Sequence, residues 1–195
     1  MNHPAAATHA EYSPEERRWL LQLAHLCIRA AVTGRDAARP EATEHLRQPR
    51  GAFVTLHENG ELRGCIGSIL AMAPLDETVI QMARAAAQED PRFAPVAEDE
   101  LDKLQLEISV LSPMFEIAPQ DVVVGRHGLM ISHGGRRGLL LPQVPIEWGW
   151  DRETFLAQTC HKAGLSADQW QKGAKLEAFT AEVFGESAPG ESLRD

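Results

Sequence analysis

The chain has 195 residues, 44% hydrophobic and 24% charged, and its 28 acidic against 19 basic side chains leave a formal charge of −9 at pH 7. That balance suits one compact globular unit or two intimately joined halves, and it excludes wholesale disorder. No run approaches the roughly 20 consecutive apolar residues a bilayer demands, MNHPAAATHAEY does not read as a leader, and basic residues gather only at Arg47, Arg50, Arg136 and Arg137; a soluble, cytoplasmic protein without membrane or nucleic-acid partners is expected.

Residues 1–12 read as a tail of small and polar residues. Ser13 with Pro14 and Glu16 then forms a capping box that opens a helix. Trp19, Leu20, Leu23, Leu26, Cys27, Ala30 and Ala31 make its apolar stripe, and Gly34 stops it. In GAFVTLHENGELRGCIGS, Asn59-Gly60 is a two-residue hairpin signal between β-forming runs. Uninterrupted pairing from that turn sets Glu58 opposite Glu61, Leu56 opposite Arg63 and Val54 opposite Cys65. Arg63 and Cys65 are then expected on one face, with Leu62, Gly64 and Ile66 on the other.

Pro74 opens a second helix with Leu75, Val79, Met82, Ala83 and Ala86 on its stripe, ending before Asp90-Pro91. The alternation in LQLEISVLS predicts a half-buried strand, with Glu107 pointing away from its apolar side. VVVG, GLMIS and GLLLPQV continue as short strands separated by glycines. Asp151 caps a third helix that Gly164 ends, Ser166 to Trp170 adds a turn, and LEAFTAEVF alternates as a last strand before a tail from Gly185. A hairpin, sequential strands and three helices without regular strand–helix alternation predict an α+β fold with a mostly antiparallel sheet.

The three cysteines, Cys27, Cys65 and Cys160, lie too far apart for a CxxC pair, so neither a disulfide framework nor a four-thiolate site follows. Cys27 and Cys160 fall on helix stripes and read as core. Cys65 stands between Gly64 and Gly67, and glycines inside a strand mark a bulge or a close backbone approach. Two readings follow with equal weight: an accessible thiol whose thiolate the neighbouring Arg63 favours, or a small buried strand residue. A base for such a thiol is available from His57, His127, His133 or His161, or from Glu107, although none has a diagnostic spacing. Gln143 between prolines either satisfies backbone or lines a site, and Arg92 of DPRF reads as a loop tie through a carboxylate. The glycine-rich run from Gly125 to Gly138 lacks the GK[ST] ending of a phosphate loop. His127 and His133 lack a third ligand, so no cofactor and no metal are assigned.

Together LRGCIGS at Leu62, DPRF at Asp90, LEISVLSP at Leu106, GLLLPQVP at Gly138 and TCHKAGL at Thr159 resemble the AmmeMemoRadiSam system protein A family, the AMMECR domain. The likeness runs from about Ser13 to Phe184. It implies a single domain over residues 13–184 built of two subdomains, with a cleft near LRGCIG. It also implies Memo-type dioxygenase-like and radical SAM proteins as pathway partners, and it brings no particular reaction. Two functions are therefore expected. One is a cysteine-centred enzyme or carrier with Cys65 as catalytic thiol and Arg63, Gly64, Gly67, Arg92, Glu107 and Gln143 as binding residues for a small molecule. The other is a binding or accessory module for those partners.

Overall fold

The computed structural model describes residues 10–35 and 38–186. Of the tails expected at residues 1–12 and 185–195, residues 1–9 and 187–195 lie outside them, and Gly185 is the last residue of a strand. The structure is α+β: two four-stranded antiparallel sheets flanked by helices, in two compact units, one made of the described residues up to 110 together with 182–186 and the other of residues 111–181. No helix among the described residues is long and apolar enough to cross a membrane.

In the first unit, α1 (Pro14–Thr33) starts as its capping box dictates. Ser13 Oγ accepts the Glu16 N–H at 3.2 Å, the Glu16 carboxylate accepts the Ser13 N–H at 3.0 Å, and Gly34 closes the helix at φ 69°. Strands β1 (Ala52–Glu58) and β2 (Glu61–Ser68) form the hairpin, helix α2 (Leu75–Gln88) follows, and β3 (Leu104–Leu111) pairs antiparallel with the other edge of β1. The sheet is completed by β8 (Ala181–Gly185), in the order β2-β1-β3-β8. Both helices pack on one face, over Ala52, Val54, Leu56, Leu106, Ile108 and Val110. Tyr12, placed by sequence in the tail, belongs to this core at 2% exposure, and its N–H donates to Glu182. Burial and the neighbouring Glu11 push its phenol up to about 12.

The second unit comprises β4 (Phe115–Glu116), β5 (Gly128–His133), β6 (Arg136–Leu140), α3 (Val144–Glu147), α4 (Arg152–Lys162) and β7 (Lys175–Phe179), with sheet order β4-β7-β5-β6. Phe155, Leu156 and Cys160 of α4 pack on Leu129 and Ile131. Asp151 caps α4 by accepting the Thr154 N–H at 2.8 Å.

Three further expectations change. VVVG is a turn, because Arg126 and His127 donate their N–H groups back to the Val123 carbonyl and His127 Nδ1 accepts the Val123 N–H. The last apolar run is divided between two sheets. Ser112 takes both polar groups of Thr180, the carbonyl through its N–H at 2.9 Å and the N–H through Oγ at 3.0 Å, so β7 ends and β8 begins around that residue. The third change, in the hairpin, decides where the thiol points.

Candidate functional site

Asn59 at φ 53° and Gly60 at φ 81° make the predicted tight turn, and Glu58 pairs with Glu61. Beyond His57 and Leu62 the register slips: Leu56 pairs with Gly64, Thr55 with Cys65 and Val54 with Ile66. Arg63 is the extra residue of a β-bulge, which corrects the uninterrupted register expected from the turn. The consequence is a change of face, since side chains alternate and one inserted residue inverts every later one. Opposite Val54, Cys65 would stand in the core. Opposite Thr55 it stands on the face away from α1 and α2, while Gly64 and Ile66 turn inward beside Leu56 and Val54.

Two neighbours hold the bulge. A Cβ on Gly64 would lie 2.3 Å from the Ala86 carbonyl oxygen, so bare backbone is required where α2 crosses β2. The Arg63 guanidinium forks onto Glu100, Nε to Oε1 at 2.7 Å and Nη2 to Oε2 at 3.1 Å, and Nη1 reaches the Ala94 carbonyl at 2.9 Å. Arg63 holds the Glu100 carboxyl below its ordinary range, helped by the Ala97 N–H. Arg63 is thus committed to the loop after α2.

Strand β2 is a sheet edge, and at Cys65 its outward backbone groups are met by side chains of DPRF. The Asp90 carboxylate accepts the Cys65 N–H at 2.8 Å, and Arg92 Nη2 donates to the Cys65 carbonyl at 3.2 Å. The same two side chains form a bidentate pair, with Arg92 Nε on Asp90 Oδ1 at 2.9 Å and Nη2 on Oδ2 at 2.7 Å. Asp90 is buried, yet the guanidinium, joined by the Cys65 and Arg92 N–H groups, holds its carboxyl far below the usual carboxylate range.

On the open face the register sets Cys65, Thr55 and Glu107 in one row across β2, β1 and β3. Thr55 Oγ1 donates to Cys65 Sγ at 3.3 Å. Glu107 is half-buried and has no hydrogen bond or ion pair among the described residues. Adjacent strands stand about 4.8 Å apart, so thiol and carboxylate bear on a strip about 10 Å wide. The next row is Gly67, Phe53 and Ser109, where the Phe53 ring lies over Gly67 so closely that a Cβ there would meet it at 2.1 Å. The row on the other side is Leu62, His57 and Gln105. His57 is thereby a diagonal neighbour of Cys65, at about 7–8 Å by sheet geometry.

Of the residues singled out from sequence, Cys65 and Glu107 share this row, Gly67 borders it, and Arg63, Gly64 and Arg92 fix the strand that carries it. Gln143 is exposed at the start of α3, in the second unit. His127 is buried in the Val123 turn, His133 ends β5 and His161 is exposed on α4. Sequence reasoning missed Thr55, whose only signal is its place on the half-buried side of β1, and Asp90, whose role requires β2 beside it. Cys27 and Cys160 are buried in the helices as expected. A groove of about 440 Å³ in the second unit is lined by Ile117, Pro119, Trp170 and Leu176, with Lys175 at its wall paired to Glu177 at 2.7 Å and Glu116 at 3.6 Å.

The sequence and the fold both have known relatives. The AMMECR1 family model matches residues 21–184, and the chain belongs to the AMMECR1 family. It is 48% identical over 185 residues to a protein of Thermococcus onnurineus, covering 88% of this chain and 90% of that one. It is 44% identical to protein TK0174 of Thermococcus kodakarensis over 190 residues, covering 90% and 93%. The crystal structure of the uncharacterized protein PH0010 from Pyrococcus horikoshii matches with a TM-score of 0.72 at 42% identity, over 91% of this chain and 96% of that one.

Proposed function

We propose that the protein is a thiol-centred enzyme or carrier in which Cys65 forms a covalent bond with a small molecule lying on the open face of β2, β1 and β3. The observation that carries this reading is the bulge at Arg63, which sets Cys65 in one row with Thr55 and Glu107 and away from the core. A thiol with a hydroxyl donor at 3.3 Å, a carboxylate across the strand and an imidazole on the diagonal has the groups a nucleophile needs near it. Cys27 and Cys160 serve as internal controls, being buried in helices. Alkylation of the native protein, followed by peptide mass spectrometry across pH, tests the reading. Cys65 is expected to label at least tenfold faster than either control at neutral pH; labelling as slow as theirs would overturn it.

A second reading is favoured by the work that Arg63, Gly64 and Arg92 do in holding β2. LRGCIGS is then a rigid shelf of an accessory module, and the Memo-type and radical SAM proteins implied by the resemblance are its partners. On that reading Cys65→Ser keeps complex formation at micromolar concentration and charge reversal at Arg63 abolishes it.

A further inference from the structure

The charges around the thiol are unevenly settled. Arg63, two residues before it, is neutralised by Glu100 through two bonds. Arg92, on the edge of the same strand, is neutralised by Asp90 through two more. Both cations are therefore paired within the protein, although the Arg92 side chain stays 54% exposed. On the open face the row from Cys65 runs through Thr55 to Glu107 and on to β8, where Gly185 lies against Glu107 and brings no side chain; no Lys, Arg or His among the described residues pairs Glu107. Thr55 between them is neutral, and its hydroxyl already donates a hydrogen bond to the sulfur. Gln105 and Ser109, which flank Glu107 along β3 on the same face, are neutral as well, and His57, diagonal to Glu107 across β1, forms no ion pair with it. A carboxylate that is half-buried on a sheet face and lacks a counter-ion draws in a cation from outside.

We infer that this face takes a cationic small molecule, an amine or alkylammonium whose charge is held by Glu107 while its other end lies against Cys65. The inference rests on the thiol-centred reading and adds the class of molecule to it. The strip of about 10 Å between thiol and carboxylate suits a short chain bearing the charge at one end. Ser109 and Gln105 offer hydroxyl and amide groups to the N–H donors of such an end.

The test compares three thiosulfonate reagents on the native full chain: neutral methyl, cationic 2-aminoethyl and anionic 2-sulfonatoethyl methanethiosulfonate. In each case the Cys65 thiolate attacks the thiosulfonate sulfur, a mixed disulfide forms and methanesulfinate leaves, so no outside oxidant is involved. Rates at Cys65 are read by peptide mass spectrometry, and each cationic-to-anionic ratio is divided by that of a short cysteine peptide. At low salt the normalised ratio is expected to be about five to ten, falling toward one in about 0.5 M NaCl as screening removes the carboxylate's reach. Glu107→Gln, checked for folding by circular dichroism, is expected to bring the ratio to one at low salt. A normalised ratio at or below one in the native chain overturns the inference, as does a preference that survives in Glu107→Gln or in high salt. Fast labelling by the neutral reagent together with either result leaves the thiol reading standing and removes the amine alone. Protection of Cys65 from the neutral reagent equal to that of Cys27 and Cys160 overturns both.

Discussion

The Asp90 carboxylate accepts the backbone N–H of Cys65 at 2.8 Å, so the strand that bears the thiol is held from its free edge by a side chain 25 positions further along. Arg92 completes the arrangement by donating to the Cys65 carbonyl. Together the two side chains take the place of a neighbouring strand for one residue. They satisfy backbone groups that would otherwise template pairing with another chain.

Asp90→Asn tests this edge. The amide cannot accept from both the guanidinium and the Cys65 N–H as a carboxylate does, and a cost of about 2 kcal/mol is expected at pH 7 by urea denaturation. The pH dependence has a definite sign. Because the folded-state carboxyl lies below its unfolded value, its stabilisation is complete above about pH 4 and is lost as pH falls through the folded-state value. The wild-type advantage over Asp90→Asn should therefore shrink only below about pH 4; an advantage that faded between pH 7 and 5 would contradict the assignment.

The two glycines of LRGCIG should differ. Gly64→Ala drives a methyl into the Ala86 carbonyl of α2, where only backbone movement relieves it, and a loss of about 3 kcal/mol is expected. Gly67→Ala meets the Phe53 ring, which can swing on the half-buried face, so a smaller loss is expected with a change in Phe53 packing. Thermal melts of the two variants check the order, and a costlier Gly67→Ala would show the ring to be locked.

Arg63 and Glu100 should behave as a coupled pair. A double-mutant cycle of Arg63→Ala and Glu100→Ala is expected to return about 1 kcal/mol of coupling, above the usual exposed ion pair because the contact is bidentate and both side chains are mostly covered. Arg63→Lys keeps the charge and loses the fork, and should recover less than half of it. A coupling near zero would mean that the bulge is held by Gly64 alone.

Thr55 is expected to act on the sulfur rather than on the fold. Thr55→Val retains shape and β-propensity but removes the hydroxyl that donates to Sγ, and should slow alkylation of Cys65 about three- to tenfold at unchanged melting temperature. Thr55→Ser should restore the rate. Equal rates in all three proteins would remove Thr55 from the site.

Local features of the chain were legible in the sequence because each closes over a few residues. The capping box of Ser13 and Glu16, the Asn59-Gly60 turn, the Asp151 cap and the alternation of β3 all arise within one turn of helix or one stretch of pleat. The glycine-flanked Cys65 and the outward Glu107 could be marked as candidates for the same reason. What tertiary structure decided was which of these residues meet. The division of the last apolar run at Thr180 depends on Ser112, 68 residues away, and the covering of β2 depends on Asp90. The face on which Cys65 stands depends on a bulge held by Ala86 and Glu100. A pleated strand has a side-chain period of two, so one unpaired residue inverts everything beyond it, and whether that residue goes unpaired is settled by contacts no local pattern contains.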